Sequence, residues 1–437
     1  MERIDLLEPF LQGGIANTNF FNGRLLSAED LRTEQAAGRQ QRAQLGRAIG
    51  AGVVQGLRVE RATASGATTA ALLRVSAGLA LNRSGQALAL PVETEVALVR
   101  APDVVSADAG LFAPCVPPNQ TAVVVGTGVY VLVVAPASGY TGKALMSGLG
   151  DAGMTSPGCG SRVAVEGVQF KLVPLDVNKL EWLSNAERAQ IALLMVNNTP
   201  ANRAKLRNLL AYLCFGTKQL QQVGHDPFNP ANNDAKTRNY GALDSLLAQG
   251  SLTACEVPLA LLYWTSGGIQ FVDMWAVRRS TAAPTSAGRW AAYISARRQR
   301  EAEAMFLQFQ TQLQELYETA GNLDQFSAEQ HFGYLPPVGL LPLTGPGGTP
   351  GFAFKKFFTN QSYRPPAYIE GAAVEPLVRT ALNYGPISLT NRDPFWLYQV
   401  LDGSTPRPYL IFVTAYVPYQ ADARFDFVRW NFSQFYR

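Results

Sequence analysis

The sequence predicts an α+β fold, in which an antiparallel β-rich domain is interrupted by a helical insertion and followed by a long helix and a C-terminal mixed α/β region. Short apolar runs separated by turn residues fill residues 53–99 and return at 257–277, a pattern typical of antiparallel strands. Apolar residues recur at helical spacing in residues 183–215 and 289–319. A chain of 437 residues is too long for one ordinary core, so we expect two or three domains.

An N-terminal arm and a helix are expected over residues 1–50. Ser27 is a good N-cap and acidic residues follow it in the first turn, so a helix is predicted from here to Gly50, where glycine ends it. The arm before this helix carries two adjacent phenylalanines, Phe20 and Phe21. Paired aromatic residues on an irregular arm favour contact with a partner surface.

The β-rich domain is expected over residues 51–280, with the helical insertion at about 183–250. A hairpin is predicted at 257–277, because two consecutive glycines in its middle allow the positive φ angles of a tight turn. The clearest strand prediction is 121–134, where valines alternate with other residues. The valines expected on one face of that strand are Val123, Val125, Val129, Val131 and Val133.

The long helix, placed within residues 281–322, is predicted to act as a strut that leaves the sheet. Glu301 and Glu303 stand among its arginines, which indicates a solvated or salt-bridged helix face; binding to a partner with an acidic surface is the other interpretation. The arginines at and just before its start are Arg278, Arg279, Arg289, Arg297, Arg298 and Arg300.

The C-terminal domain is expected over residues 323–437. Prolines between 332 and 343 exclude a regular helix there, and the apolar residues around them predict an ordered extended segment. A short helix is predicted at 375–382, and strands at 395–400 and 409–416. The tail is strongly aromatic, so we expect it to dock on its own chain or on a neighbour. Its aromatic residues are Phe425, Phe427, Trp430, Phe432, Phe435 and Tyr436.

Charged residues make up only 16% of the chain, against about 25% in typical soluble domains. This deficit favours a surface that partners cover, and a loop-rich monomer is the alternative. A net charge of +4 without a concentrated basic patch does not indicate nucleic-acid binding. The longest apolar run, 122–137, is shorter than the ~20 residues that a membrane helix needs. The first residues lack the pattern of a signal peptide, so we expect synthesis in the cytoplasm.

No motif indicates a catalytic, cofactor or metal site. The two histidines, His225 and His331, have no histidine three or four residues away, so a zinc site is not predicted. A catalytic triad stays open in principle, because its members meet only in space, but no nucleophile motif supports one. Three acids on or beside predicted strands, Glu166, Asp273 and Asp402, match structural carboxylates as well as glycosidase pairs. A glycine motif at 148–153 lacks the strand and helix that dinucleotide binding requires.

The four cysteines, Cys115, Cys159, Cys214 and Cys255, form no closely spaced pair, which argues against zinc and redox motifs. We expect structural free thiols, and a bridge such as Cys159–Cys255 remains an alternative.

Several segments together resemble a known group of proteins. Residues 19–35, with the run Phe20-Phe21-Asn22-Gly23-Arg24-Leu25-Leu26, resemble an N-terminal motif of proteins encoded with phage-tail-like contractile injection systems. The strand that follows this motif in those proteins is matched by residues 52–59, and a short sheet segment by 78–81. The hairpin at 257–279 and residues 334–339 are also similar to longer members of the group.

The resemblance implies a structural component of a bacterial tail-like particle, near the baseplate or its surrounding cage and fibres, and implies no catalytic residue. We expect many copies to contact one another and other baseplate or tail proteins, with three- or six-fold symmetry. An alternative is a tail-fibre-like module that binds carbohydrate or a target surface through Trp264 and Trp396; an enzyme such as a cell-wall hydrolase is a further rival. The expected contact residues are Phe20, Phe21, Arg24, Arg278, Arg279, Arg297, Arg298, Trp430, Phe432, Phe435 and Tyr436.

Overall fold

The structure of the chain, a computed structural model, has the α+β fold that the sequence predicts. Most neighbouring strands are antiparallel, and one pair in the C-terminal sheet is parallel. Besides the single residues Phe228 and Trp290, the structure describes residues 11–62, 72–98, 127–145, 159–220, 240–283, 296–319, 323–345, 350–401 and 408–414.

Helix α1 spans Ala28–Ile49 and precedes a small β unit. The strands of this unit form two three-stranded sheets, in the orders β1-β4-β5 and β2-β3-β6, and their buried side chains share one core. The bounds are β1 Gly52–Gly56, β2 Val59–Arg61, β3 Leu72–Val75, β4 Gly78–Leu81, β5 Ala87–Leu90 and β6 Thr94–Ala97. We call these strands the N-terminal β unit.

The central sheet has four antiparallel strands in the order β10-β9-β7-β8. The strands are β7 Gly128–Leu145, β8 Cys159–Pro174, β9 Val257–Thr265 and β10 Gly268–Asp273. After β8 the chain passes through a 3-10 turn, Val177–Lys179, and helices α2 Asn185–Val196, α3 Pro200–Phe215 and α4 Ala242–Ala248, and then re-enters the sheet at β9. Along the sequence, the helices therefore stand between β8 and β9, two strands of the same sheet.

Both faces of the central sheet are buried, and the alternation along β7 divides its side chains between them. One set of β7 side chains packs on the helices that follow β8, and the other set packs on the N-terminal β unit. The first set, Val129, Val131 and Val133, confirms the predicted valine face; the second set is Tyr130, Leu132 and Val134. Val123 and Val125 fall outside the described residues.

The long helix α5, Ala296–Thr319, does not leave the sheet as a strut; that prediction is wrong. Ala304 and Met305 pack into the core beneath the central sheet, whereas Phe309 and Leu313, further along the helix, pack into a C-terminal core. An apolar stripe that continues over several turns can pack against two cores, one after the other. Because the stripe is buried against both cores, the helix lies inside the molecule.

The C-terminal region contains a four-stranded sheet in the order β12-β16-β15-β13, with the pair β13–β15 parallel, and a short pair β11–β14. The predicted strands at 395–400 and 409–416 and the helix at 375–382 are confirmed as β15, β16 and α8, apart from residues 415 and 416, which are not described. The bounds are α6 Ala328–His331, β11 Tyr334–Leu335, β12 Val338–Pro342, α7 Phe354–Phe357, β13 Tyr363–Glu370, a 3-10 turn Gly371–Ala373, α8 Val374–Ala381, β14 Ile387–Ser388, β15 Phe395–Leu401 and β16 Tyr409–Thr414.

A buried ion pair lies where α3, the end of β10 and α5 meet. Arg207 donates through Nε to Asp273 Oδ2 at 2.7 Å and through Nη1 to Glu315 Oε2 at 2.5 Å. Asp273 is completely buried, so it is a structural carboxylate. Burial alone would lower the pKa of Arg207, but the two carboxylates outweigh that effect and raise it. Arg207 therefore keeps its positive charge inside the protein.

Amide side chains extend this polar contact to the C-terminal region. Gln308 of α5 donates to Asp273 Oδ2 at 3.2 Å and to Gln312 Oε1 at 2.9 Å. Gln312 in turn donates to the carbonyl oxygens of Ala204 at 2.8 Å and His331 at 3.3 Å. We call Arg207, Asp273, Gln308 and Gln312 the central polar network.

We expect Asp273→Asn to lower the free energy of unfolding by about 3–5 kcal/mol, because the change leaves the buried Arg207 charge without its only fully buried counter-ion among the described residues. Urea unfolding followed by circular dichroism measures this. The matched control is Glu95→Gln, which removes an exposed partner of Arg74 at 3.4 Å and should change stability by less than about 1 kcal/mol. Equal unfolding midpoints for the two variants would contradict the role given to the network.

Candidate interaction surface

The N-terminal arm exposes the two phenylalanines that the sequence singles out. Phe20 and Phe21 are 55% and 62% exposed. Arg24 holds the arm in shape: its Nη1 donates to the Asn19 carbonyl oxygen at 2.6 Å, and its Nη2 is bonded to the Asp30 carboxylate in the first turn of α1. The arm is therefore folded against the start of the helix while its aromatic side chains face outward.

Asp30 is the anchor of this arrangement. Its carboxylate accepts from both the backbone N–H and the hydroxyl of Ser27 at 2.8 Å, and Ser27 caps α1 in return. The hydrogen bonds from the Ser27 backbone and side chain lower the pKa of Asp30, and Arg24 lowers it further. The Arg24 guanidinium also lies 5.9 Å from the centre of the Phe21 ring. Arg24 thus braces the arm through contacts within its own chain.

Large apolar side chains continue from the arm into α1. We define the N-terminal apolar surface as Phe20, Phe21, Leu25, Leu26 and Leu31; each is more than half exposed, and Leu25 is 93% exposed. Five such side chains within residues 20–31 form a concentration that usually marks an interaction site.

Helix α1 touches the rest of the molecule through few of its residues. Only Ala37 and Gly46 of the helix are buried. A Cβ atom added at Gly46 would lie 2.0 Å from the Gly85 carbonyl oxygen, so the helix approaches the β4–β5 turn closely because residue 46 is glycine. The other side chains of the helix are exposed or half-buried.

Arg278 and Arg279, also expected as partner contacts, bind backbone of their own chain. Arg278 donates to the carbonyl oxygens of Leu57 at 2.7 Å and Gly56 at 2.6 Å, and so ties the central hairpin to the N-terminal β unit. Burial, with the nearby Arg58 charge, lowers the pKa of Arg278 to about 10. Arg279 lies 4.6 Å from the centre of a phenylalanine ring of α3 and donates to three backbone carbonyl groups.

Arg297 is likewise an internal cation at the start of α5. It forms ion pairs with Asp244 at 2.7 Å and Glu301 at 2.8 Å, and its guanidinium lies 4.0 Å from the centre of the Tyr240 ring. Burial opposes the charge, but Glu301 and Asp244 raise the pKa of Arg297 above its usual value. Arg298, the next residue, is half-buried. The sequence allowed two interpretations of the arginine cluster, a salt-bridged helix face or a partner-binding surface. Arg297 fits the first.

The remaining predicted contacts, Trp430, Phe432, Phe435 and Tyr436, lie outside the described residues, as do Arg289, His225 and Asp402. Leu25, Leu26 and Leu31 were not predicted as contact residues, although they belong to the exposed surface. The signal that could have identified them is their position close to Phe20 and Phe21 in the sequence.

His331 is packed against a neighbouring aromatic ring. His331 stacks on Phe326 with ring centres 3.9 Å apart, and burial lowers its pKa. In the ranges that the structure describes, no three His, Cys, Asp or Glu side chains come together as metal ligands would.

A broad groove of about 970 Å³ runs between the α2–α3 hairpin and helices α6 and α7, and is lined by residues such as Gln190, Lys205 and Lys356. Among the described residues that line it there is no histidine or cysteine.

The cysteines correct one expectation. Cys214 is a buried free thiol, but Cys255 is disulfide-bonded, so the expectation of free thiols is wrong for Cys255.

None of the helices in the described parts of the chain is both long enough and apolar enough to cross a bilayer.

We expect Cys214 to resist alkylation in the folded protein. Burial raises the pKa of its thiol to about 12, so roughly one molecule in 3,000 carries a thiolate at pH 8.5. Peptide mass mapping after iodoacetamide treatment checks this, with the same treatment in concentrated urea as the control that should label the residue fully. Rapid labelling of folded chain at Cys214 would show an accessible nucleophile that the structure does not contain.

Comparison with known proteins adds no relative from which to transfer a function. The chain matches no protein-family model, and it matches no curated protein sequence.

Proposed function

We propose that this chain is a structural component of a contractile injection system or related phage-tail-like particle, and that it assembles in several copies at or around the baseplate. The observation that carries the proposal is the N-terminal apolar surface. It lies inside the segment 19–35 that resembles the motif of proteins encoded with such systems, and its aromatic side chains are exposed rather than used in the core.

The arm is suited to docking because its shape is set before a partner arrives. Thr18 Oγ1 donates to the Asp30 carbonyl oxygen at 2.8 Å, which adds to the contacts of Arg24 and Ser27. A segment held in its bound shape loses less conformational entropy on association. Burying an exposed Phe or Leu contributes about 1.5–3 kcal/mol, so a few of these side chains are enough for a stable contact in an assembly of many copies.

The internal arginines support a structural role in a second way. A catalytic or binding site would direct its cations at a ligand. Here Arg278 binds carbonyl groups and Arg297 binds carboxylates of the same chain. They join separate segments of sequence, such as residues 56–57 to the central hairpin. Such contacts favour a rigid component that transmits force and keeps neighbours in register.

The carbohydrate-binding alternative has weaker support. Trp264 is partly buried against the core of the N-terminal β unit, and Trp396 lies beneath the Arg364 guanidinium, 4.6 Å from its ring centre. Trp264 is therefore not fully exposed, and a side chain of the same chain already occupies a position over the Trp396 ring.

We expect the double variant Phe20→Ser/Phe21→Ser to fold normally and to be at least roughly tenfold depleted from purified particles, because the anchors of the arm are lost. Quantitative mass spectrometry of particles from the producing cells measures the copy number. The matched control is Leu193→Ser/Val196→Ser, which removes two exposed apolar side chains of α2, 60% and 81% exposed, and should join particles normally.

Deletion of residues 1–26 should have the same effect as the double phenylalanine variant, with a retained thermal unfolding transition. Normal incorporation of both altered chains would refute the proposed role of the arm, and equal depletion of the α2 control would show that any loss of surface hydrophobicity has this effect.

A further inference from the structure

We propose that two copies of this chain join edge to edge through strand β8, antiparallel and about a two-fold axis at Ala164, so that the central sheet continues from one copy into the other. The contact uses the end of β8 that extends beyond the sheet, with Arg162 of each copy opposite Glu166 of the other.

The strands β7 and β8 continue well past the sheet to which they belong. Pairing of β7 with β9 ends at Val134, whereas pairing of β7 with β8 continues to Leu145 and Cys159. Eleven residues of β7, at 135–145, lie beyond the last pair with β9, a length of roughly 36 Å at 3.3 Å per residue. Two-stranded ribbons of this kind are marginally stable alone, so an additional strand would stabilise the projecting part.

The backbone of β8 offers hydrogen-bonding groups on its outer side. The Leu175 N–H donates to the Val129 carbonyl oxygen at 2.8 Å, which makes this a hydrogen-bonded position of the β7–β8 ladder. Because such positions alternate along an antiparallel pair, the odd-numbered residues of β8 bond to β7 and the even-numbered ones point away. The N–H and C=O groups of Arg162, Ala164 and Glu166 therefore face outward. Within the described chain no strand pairs with that edge.

Charge selects one register for the self-pairing of this edge. With the axis at Ala164, the antiparallel partner of Arg162 is Glu166 of the other copy, and the reverse pair forms by symmetry. Shifting the axis by one residue, to Val163 or Val165, keeps the hydrogen-bonding pattern but leaves both charges opposite uncharged residues. Shifting it by two residues places Arg162 opposite Arg162, or Glu166 opposite Glu166. Opposite charges facing each other across strands stabilise a sheet, and like charges destabilise it.

The apolar side chains of the segment agree with the same register. Val163 and Val165 are each 47% exposed, on the sheet face opposite to that of Arg162 and Glu166. Pairing about Ala164 places Val163 of one copy opposite Val165 of the other, so that four valines form one cluster. The sequence Arg-Val-Ala-Val-Glu at 162–166 is thus complementary to itself when reversed.

The edge also lacks the features by which proteins prevent such pairing. Exposed edge strands usually carry a proline, a bulge or an inward-pointing charge. Residues 161–167 are exposed and contain no proline, and the register of β8 against β7 does not shift there. The only two charges in this segment, on Arg162 and Glu166, attract each other across the proposed axis. An isologous contact of this type closes as a dimer.

The contact extends the proposed structural role, because it lets copies of the chain associate. The observations that support the contact come from β8 alone. Its test uses purified full-length protein, so failure of the dimer leaves the incorporation experiment on the N-terminal arm unaffected. Loss of arm-dependent incorporation would equally leave the dimer intact.

We expect wild-type protein to sediment as a dimer, and Arg162→Glu or Glu166→Arg alone to weaken dimerisation by roughly tenfold or more, because each reverses two cross-strand pairs. The exchanged variant carrying both changes should restore the dimer. An equimolar mixture of the two single variants should form mixed dimers, which native mass spectrometry separates from the parents by mass. Sedimentation velocity at several concentrations gives the dissociation constants.

A backbone variant tests the hydrogen-bonded edge without charge. Ala164→Pro removes an N–H that points away from β7, and should produce monomers. The matched control Ala144→Pro removes an outward N–H on the opposite edge of the ribbon, and should leave the dimer unchanged. Wild-type protein that remains monomeric at its highest soluble concentration would overturn the proposal, as would a dimer that survives both single charge reversals or Ala164→Pro.

Discussion

The buried contact between Arg207 and Asp273 is the interaction on which the arrangement of the structure depends. Arg207 comes from the helices between β8 and β9, Asp273 from the last residue of the central hairpin, and Gln308 and Gln312 from α5. Both charged groups are removed from water, which is unfavourable unless the partner and further hydrogen bonds are in place. The network therefore favours the relative position of the three segments in which these bonds form.

Helix α5 transmits that constraint to the second half of the molecule. Its early turns belong to the core beneath the central sheet, and Phe309 and Leu313 belong to the aromatic core of the C-terminal sheet. Asn208, beside the ion pair, accepts from the backbone N–H groups of Gly333 at 2.9 Å and Tyr334 at 3.0 Å. Asn208 thus fixes the position at which β11 begins, and the helix holds the two cores together.

In the described part of the chain, two features suited to association lie at projecting places. The N-terminal apolar surface extends from a helix that few residues attach to the body, and the outer edge of β8 extends from the central sheet. The first presents side chains and the second presents backbone groups. Both suit association, and together they accord with a chain whose low content of charged residues indicates a partly covered surface.

The sequence by itself determined the elements whose signals are local. The capping residues of α1, the valine alternation of β7 and the glycine turn of the hairpin each follow from a few neighbouring residues, and each is found in the structure. Phe20 and Phe21 were recognisable because adjacent aromatic residues stand out on an irregular arm. The role of Arg278 and Arg297 was decided only by the tertiary structure, because their partners, such as Leu57 and Asp244, are distant in sequence. The position of α5 was decided in the same way: helical periodicity reveals an apolar stripe, but which cores the stripe enters depends on the elements that surround it.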